Sequence, residues 1–357
     1  MKKTGVANLP LHYGKAPRWL FSRMERLSRE IICAIIIDKG TKEVLKRLSD
    51  PFWFQAFGSI LGFDWHSSGL TTTVCGAVKS GFKEISKEYG FYIAGGKGRT
   101  SRRTPEEIET VSNIVGLNPK PLIYASRMAA KVDTSGIQDD YQIYHHAFFF
   151  TDSGEWTVVQ QGMNETSRYA RRYHWLGEKV EDFVCEPHSG IECEKTSSIL
   201  NLVAEESCKA RKVITSVSKE EPEKVIKELK RINELHLPSE HSVRLSQIRP
   251  DRIKKILVST YERAPENFET LLGIRGVGPK TIRALSLISE LTYGVQPSFT
   301  DPARFSFAHG GKDGHPYPVN KKVYDESINF LKEAVNKAKI GDTDKLKLLK
   351  KLYSMFR

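Results

Sequence analysis

Several short stretches of this chain bring acids and histidines close enough to share one chemistry. Asp64 and His66 stand two apart in the glycine-bounded run Gly62-Phe63-Asp64-Trp65-His66-Ser67-Ser68-Gly69. Asp133 opens Asp133-Thr134-Ser135-Gly136, and Asp139 and Asp140 precede the adjacent His145 and His146. Asp152 and Glu155 flank a turn, with Gln160 and Gln161 following. Carboxylates of this kind hold hard divalent cations, a metal-bound water attacks at neutral pH, and a histidine moves the proton. The expected catalytic residues are therefore Asp64, His66, Asp140, His146 and Asp152. Asp64, His66 and Asp140 would hold Mg2+ or Mn2+. The plainer roles are a capping loop, with Ser67 or Ser68 starting the next helix, and solvated acids at a turn.

These acids belong to a basic protein. Its 357 residues carry 55 Lys+Arg against 43 Asp+Glu, a formal net charge of +12, which points to a polyanionic partner. Lys97, Arg99, Arg102 and Arg103 fall in the glycine-rich run GGKGRTSRRT, suited to cradling phosphates. That run lacks the GxxxxGK[ST] spacing of a mononucleotide loop. Arg168, Arg171 and Arg172 alternate with Tyr169, Tyr173 and Trp175, a composition that grips single strands by charge and stacking or covers a sheet. Five cysteines without a CxxC pair indicate neither a disulfide framework nor a structural zinc. No run approaches the ~20 apolar residues of a membrane span, and the first residues carry no apolar signal core, so a cytoplasmic location is expected.

The elements that must position these groups divide by pattern. Helices are expected over Arg18–Arg29, Thr41–Leu48, Trp53–Leu61, Leu70–Glu88 and Lys120–Lys131, with another starting at Thr104-Pro105. The apolar run Ile31–Ile37 fits either a strand or a continuing helix. Phe91–Ala94 reads as a strand. YQIYHHAFFFTDSGEWTVVQQG, Tyr141–Gly162, reads as two strands around a turn, and Tyr173–Leu176 as a third. After about residue 196 the periodicity is helical and no strand is required. The expected fold is α+β: an N-terminal mixed domain over 1–195 with a small antiparallel sheet, then an all-helical domain over 196–357.

Within the second half, NFETLLGIRGVGPKTIRALS (267–286) is the most specific motif. A short helix meets Gly273, Gly276-Val277-Gly278 makes a tight turn, and Pro279 opens a second helix. Amides of Gly276, Gly278 and the new helix start would face an anion with the helix dipole behind them; Lys280 and Thr281 lie in the first turn. Ile274, Val277, Ile282 and Leu285 would lock the two helices. The run resembles the helix-hairpin-helix motif of DNA repair and recombination proteins. That resemblance implies contact with the DNA backbone and little sequence specificity.

In one subclass, the helix-hairpin-helix DNA glycosylases, the hairpin lysine is a nucleophile paired with a later aspartate. Lys280 and Asp301 resemble that layout, although Thr300-Asp301-Pro302-Ala303 departs from the subclass pattern and no iron–sulfur cysteine cluster follows. The Asp152/Glu155 turn resembles the hairpin of restriction-type nucleases poorly, because the lysine expected beside the second acid is missing. The loop after Asp301, with Arg304, His309, Lys312, Asp313 and His315, reads equally as a site loop or a structural cap.

TGVANLPLHYGKAPRWL, GFDWHSSGLTTTVCGA, HHAFFFTDSGEWTVVQQGMN, LLGIRGVGPKT and DPARFSFAHGGKDGHPYPV together resemble a prokaryotic family known as domain of unknown function 763. It is typical of archaea and some thermophilic bacteria, which implies an intracellular, thermophilic origin. The expectation is a DNA-processing enzyme, foremost a metal-dependent nuclease of repair or recombination. The alternatives are a glycosylase/lyase using Lys280 and Asp301, and a DNA-binding protein without catalysis.

Overall fold

In this computed structural model, residues 16–63, 67–193, 196–234, 250–303 and 321–355 are described. Its centre is a five-stranded antiparallel sheet in the order β1-β3-β4-β5-β6. The strands are β1 (Phe91–Lys97), β3 (Gln142–Thr151), β4 (Trp156–Asn164), β5 (Tyr169–Leu176) and β6 (His188–Glu192). A two-stranded ladder pairs β2 (Ile137–Gln138) with β7 (Leu200–Asn201).

Both faces of the larger sheet are covered, which explains why β3 reads as an unbroken apolar run. Along β3, Ala147 and Phe149 enter one core while Phe148 and Phe150 enter the other. Val158 and Val159 divide likewise on β4, as do Trp175 and Leu176 on β5. This is period-2 alternation with apolar residues on both sides.

The first face is covered by α1 (Arg18–Lys39), α2 (Thr41–Leu48), α3 (Pro51–Ile60) and α4 (Gly69–Phe82). Ile31–Ile37 thus belongs to one long helix; its inward residues Ile31, Ile32 and Ile35 are buried. The Asp50 side chain caps α3 at the amides of Phe52 and Trp53, with Pro51 opening the helix. The expected helix to Glu88 instead breaks after Phe82, and a short turn, α5 (Ser86–Tyr89), leads to Gly90 and β1. After β1 come α6 (Arg99–Arg102), α7 (Thr104–Val115) and α8 (Pro119–Lys131).

The second face is covered by α7, α8 and the helices α9 (Cys208–Val217), α10 (Pro222–Asn233), α11 (Pro250–Arg263), α12 (Phe268–Gly273) and α13 (Pro279–Leu291). The last two, α14 (Lys321–Lys337) and α15 (Asp342–Met355), return to the first face, where Leu331, Ala334 and Val335 join the core of α1–α4. The boundary expected at residue 195 therefore separates no cores. One core runs from Tyr92 to Ala303, and the other joins Met24 to Ala338. Residues after 195 also supply a strand, β7, and a further bridge from Asn201 to Ser298.

Gly95 shows how tightly helices of both layers, α4 and α7, are drawn onto the sheet. Its carbonyl accepts from Lys79 Nζ at 2.7 Å and its amide donates to Glu107 at 2.8 Å. Its φ is +87°, and a Cβ there would collide with the His146 carbonyl oxygen and the Thr104 hydroxyl. Gly95→Ala is expected to destabilise the protein by ~2–4 kcal/mol, read by chemical denaturation.

Candidate functional site

The run 267–286 forms a helix, a turn and a second helix. Asn267 caps α12 reciprocally: its side chain accepts from the Thr270 amide at 2.9 Å, and Thr270 Oγ1 accepts from the Asn267 amide at 3.1 Å. Val277 N–H closes the turn onto the Ile274 carbonyl at 3.2 Å. Gly276 sits at φ +94°, the left-handed region that favours glycine. Gly278 does not: it is extended, φ −144° and ψ −175°, and serves as the N-cap of α13. Ile274, Val277, Ile282 and Leu285 are all buried in the core of the second face.

Four amides at this turn, those of Gly276, Gly278, Lys280 and Thr281, make no hydrogen bond among the described residues. Gly278 supplies no side-chain cap and Pro279 has no N–H, so the first turn of a 13-residue helix stays open to an acceptor. Gly276 and Lys280 are exposed, as is Arg275. The turn is braced from behind. Lys131 Nζ, whose pKa burial lowers, donates to the Val277 carbonyl. Gln138 donates to the Pro279 carbonyl at 3.0 Å and accepts from Arg283 Nε at 2.7 Å.

The cations expected on the surface separate into two groups. Lys97, Arg99, Arg102 and Arg103 are exposed at the end of β1 and along α6. Arg171 and Arg172 are fully buried, so they are not nucleic-acid contacts in this fold. Arg171 bridges Asp139 at 2.8 Å and Asp301 at 2.7 Å and stacks over the Tyr141 ring. Arg172, on the other face of the sheet, pairs with the buried Glu192, whose carboxyl desolvation raises to about 7.

The expected catalytic set is dispersed. Asp64 and His66 lie outside the described residues, as do Arg304, His309, Lys312, Asp313 and His315. Asp140 is exposed at φ +63° with Arg283 of α13 nearby, in the layer over the second face. Asp152 accepts from the Tyr92 hydroxyl at 2.7 Å beyond the far end of β3. Six residues separate it from His146, about 20 Å of strand. Asp301 is engaged by Arg171 and the Ser197 amide, and is not an idle partner for Lys280. Among the described residues no three metal-ligating side chains converge.

His146 does belong to a network, and lies in its buried part. Its Nδ1 donates to Gln160 Oε1 at 2.8 Å, so its Nε2 accepts from the Ser126 hydroxyl at 2.9 Å. Gln160 Nε2 then donates to Asp133 Oδ2 at 2.5 Å, which also accepts from Trp175 Nε1 at 3.0 Å. The other oxygen, Oδ1, accepts from His188 Nε2 at 2.5 Å. Asp133 sits in a π-turn, Val132–Gly136, at the end of α8; the wider turn carries its carboxylate into the core. Ser126, His146 and Gln160 are buried, whereas His188 borders a cavity of about 220 Å³ with Glu186, Ser189, Asn201, Val203 and Pro302.

Sequence reasoning missed His188 altogether and named Asp133 without placing it. The signal in Cys185-Glu186-Pro187-His188-Ser189-Gly190 was turn composition, with only a short strand behind it. Glu186 marks the spot in the structure, as a non-glycine residue at φ +45°.

His145, next to His146, points to the first face, and neither ring nitrogen has a partner among the described residues. Burial first, then the neighbouring His146 and Lys97, push its pKa from 6.5 down to about 3. Burial also pulls down His146 and His174. An imidazole kept neutral in the fold but free to protonate once unfolded costs stability as pH falls from about 6.5 to about 3. The loss per titrating group is at most ~1.4 kcal/mol per pH unit. His145→Leu is therefore expected to flatten the acid limb of a denaturation-against-pH curve.

Residues 5–319 match the family described as Protein of unknown function (DUF763). The chain belongs to that family. No curated protein and no solved structure matches it. Membership in DUF763 supplies no activity, so function rests on the chemistry of the site. No helix among the described residues is long and apolar enough to cross a membrane.

Proposed function

We propose that this DUF763 protein binds DNA through the phosphate backbone, using α12, the Gly276–Gly278 turn and α13 as a helix-hairpin-helix. One observation carries the reading: four amides at the turn and the start of α13, beside the exposed Lys280, have no partner among the described residues. A phosphate oxygen satisfies such donors, and the helix dipole favours its charge. The buried lock residues and the braces from Lys131 and Gln138 hold the amides in place beforehand, so little ordering cost falls on binding. Contact is with the backbone, so affinity varies little with sequence and strongly with salt.

Lys97, Arg99, Arg102 and Arg103 form a second cationic surface. Replacing all four by alanine is expected to weaken duplex binding and to flatten the plot of log K against log salt. Each lost phosphate contact removes ~0.9 from the slope. An unchanged slope in a filter-binding or anisotropy titration would remove this segment from the interface.

A second reading, hydrolysis of DNA with Mg2+ or Mn2+ at Asp64 and His66, is favoured by the contacts of Ser68, which follows this pair in sequence. The Ser68 carbonyl accepts from Gln161 Nε2 at 2.8 Å, and Gln161 is a cross-strand partner of His145. The other cross-strand partner of His145 is Lys97, so this corner of the sheet combines a histidine with the basic segment. Cleavage of single-stranded, duplex or branched DNA that needs Mn2+ or Mg2+ and stops with EDTA is the expected result. Intact DNA after incubation with either metal sinks this second reading and leaves the first standing.

A further inference from the structure

Helix α8 bears on the hairpin at three successive points. The Tyr124 hydroxyl donates to Glu269 at the start of α12. Met128 Cε stands 3.9 Å from the place a Cβ would take on Gly273. Lys131 Nζ donates to the Val277 carbonyl in the turn. Residues 124, 128 and 131 thus meet 269, 273 and 277 in that order, so α8 runs beside α12 in the same direction and ends at the turn.

Arg127 shares this side of α8. At about 100° per residue, Tyr124, Arg127 and Lys131 fall within roughly 60° of one another around the helix axis. Arg127 is exposed, and among the described residues no carboxylate pairs with it. It stands one turn, about 6 Å, before Lys131. Gly273, the α12 residue that faces this stretch of α8, is exposed and carries no side chain, so a ligand backbone can come close.

Charge changes sign along the same line. Arg275 and Lys280 are exposed at the turn. At the other end of α12, Glu266 is exposed and Glu269 half-buried. A polyanion lying against the turn is drawn over Arg127 and repelled before it passes Tyr124. Lys120, also exposed, lies one turn beyond Tyr124, on the acidic side of that limit.

From this arrangement we infer that Arg127 is a further phosphate-contact residue. The DNA strand held at the Gly276–Gly278 turn continues over the seam between α8 and α12 and leaves the protein near Tyr124. The inference rests on the hairpin reading and gives it a direction. One strand carries a charge per ~3.4 Å of duplex axis, so the ~6 Å from Lys131 to Arg127 corresponds to about two phosphates. An arginine suits that place, because its planar fork makes two parallel hydrogen bonds to one phosphate.

The test is a salt titration of duplex binding by the full chain, read by fluorescence anisotropy below the melting transition of every variant. Arg127→Ala should weaken binding roughly 3- to 10-fold at moderate salt and lower the slope of log K against log salt by ~0.9. Lys120→Ala, outside the contact, should leave affinity and slope as in wild type. Unchanged values for Arg127→Ala, with Gly278→Asp still weakening binding, overturn the inference and leave the hairpin standing. Equal losses for Arg127→Ala and Lys120→Ala also overturn it, because they report diffuse charge rather than a contact. A loss for Arg127→Ala with Gly278→Asp silent overturns the strand path from the turn, and silence from both removes the hairpin reading as well.

Discussion

Gly278→Asp is expected to lower duplex affinity roughly 30- to 150-fold at moderate salt, with the fold unharmed. Gly278 is the N-cap of α13 and has extended backbone, so an aspartate fits without strain; nothing lies nearer its Cβ position than 3.9 Å. An aspartate N-cap accepts from the first-turn amides itself. It therefore occupies the donors proposed for phosphate and adds a negative charge where the phosphate would sit. Losing charge-assisted hydrogen bonds of this kind costs about 2–3 kcal/mol. The same substitution should leave stability unchanged or raise it by a few tenths of a kcal/mol. Binding lost while the melting temperature holds cannot be ascribed to unfolding. Unaltered affinity at matched salt would remove the hairpin from the interface.

Arg171→Met is expected to do the opposite: cost the fold ~3–5 kcal/mol while leaving DNA affinity alone below the melting transition. The arginine is buried between Asp139 and Asp301, and its removal strands two carboxylates. Burial already raises Asp139 against the pull of Arg171. Without the arginine its folded pKa climbs further above the unfolded value. The native state then binds the extra proton, so stability drops as pH rises through that range. The gap between wild type and variant should consequently narrow toward acid pH, as chemical denaturation at several pH values would show. Adding Asp139→Asn should recover part of the loss. A variant as stable as wild type would contradict the buried bridge.

The contrast between Gly278 and Arg171 also shows what the amino-acid order could disclose. The hairpin is local: glycine, proline and four apolar positions within twenty residues specify helix, turn and helix together, and all four lock residues are buried as expected. The strands of Tyr141–Gly162 were legible for the same reason, a turn composition between two β-rich runs. Arg171 and Arg172 were not legible as core residues. The alternation of cation and aromatic along Arg168–Trp175 looks the same on a surface as in a sheet buried on both faces, and the partner Asp301 lies 130 residues away in sequence. The sequence boundary at 195 failed on a related ground, since helices from both ends of the chain cover one face of the sheet. Asp133 and His188 are distant in sequence and meet only because a π-turn and an edge strand bring them together.

The most direct test of the central claim is the amide spectrum of the labelled protein with a short duplex, recorded at two salt concentrations. The account predicts that the Gly276, Gly278, Lys280 and Thr281 amides shift first and furthest, that the shifts shrink as salt rises, and that duplexes of different sequence give the same pattern. Binding that leaves those four amides unmoved, or no binding at low salt, would contradict it.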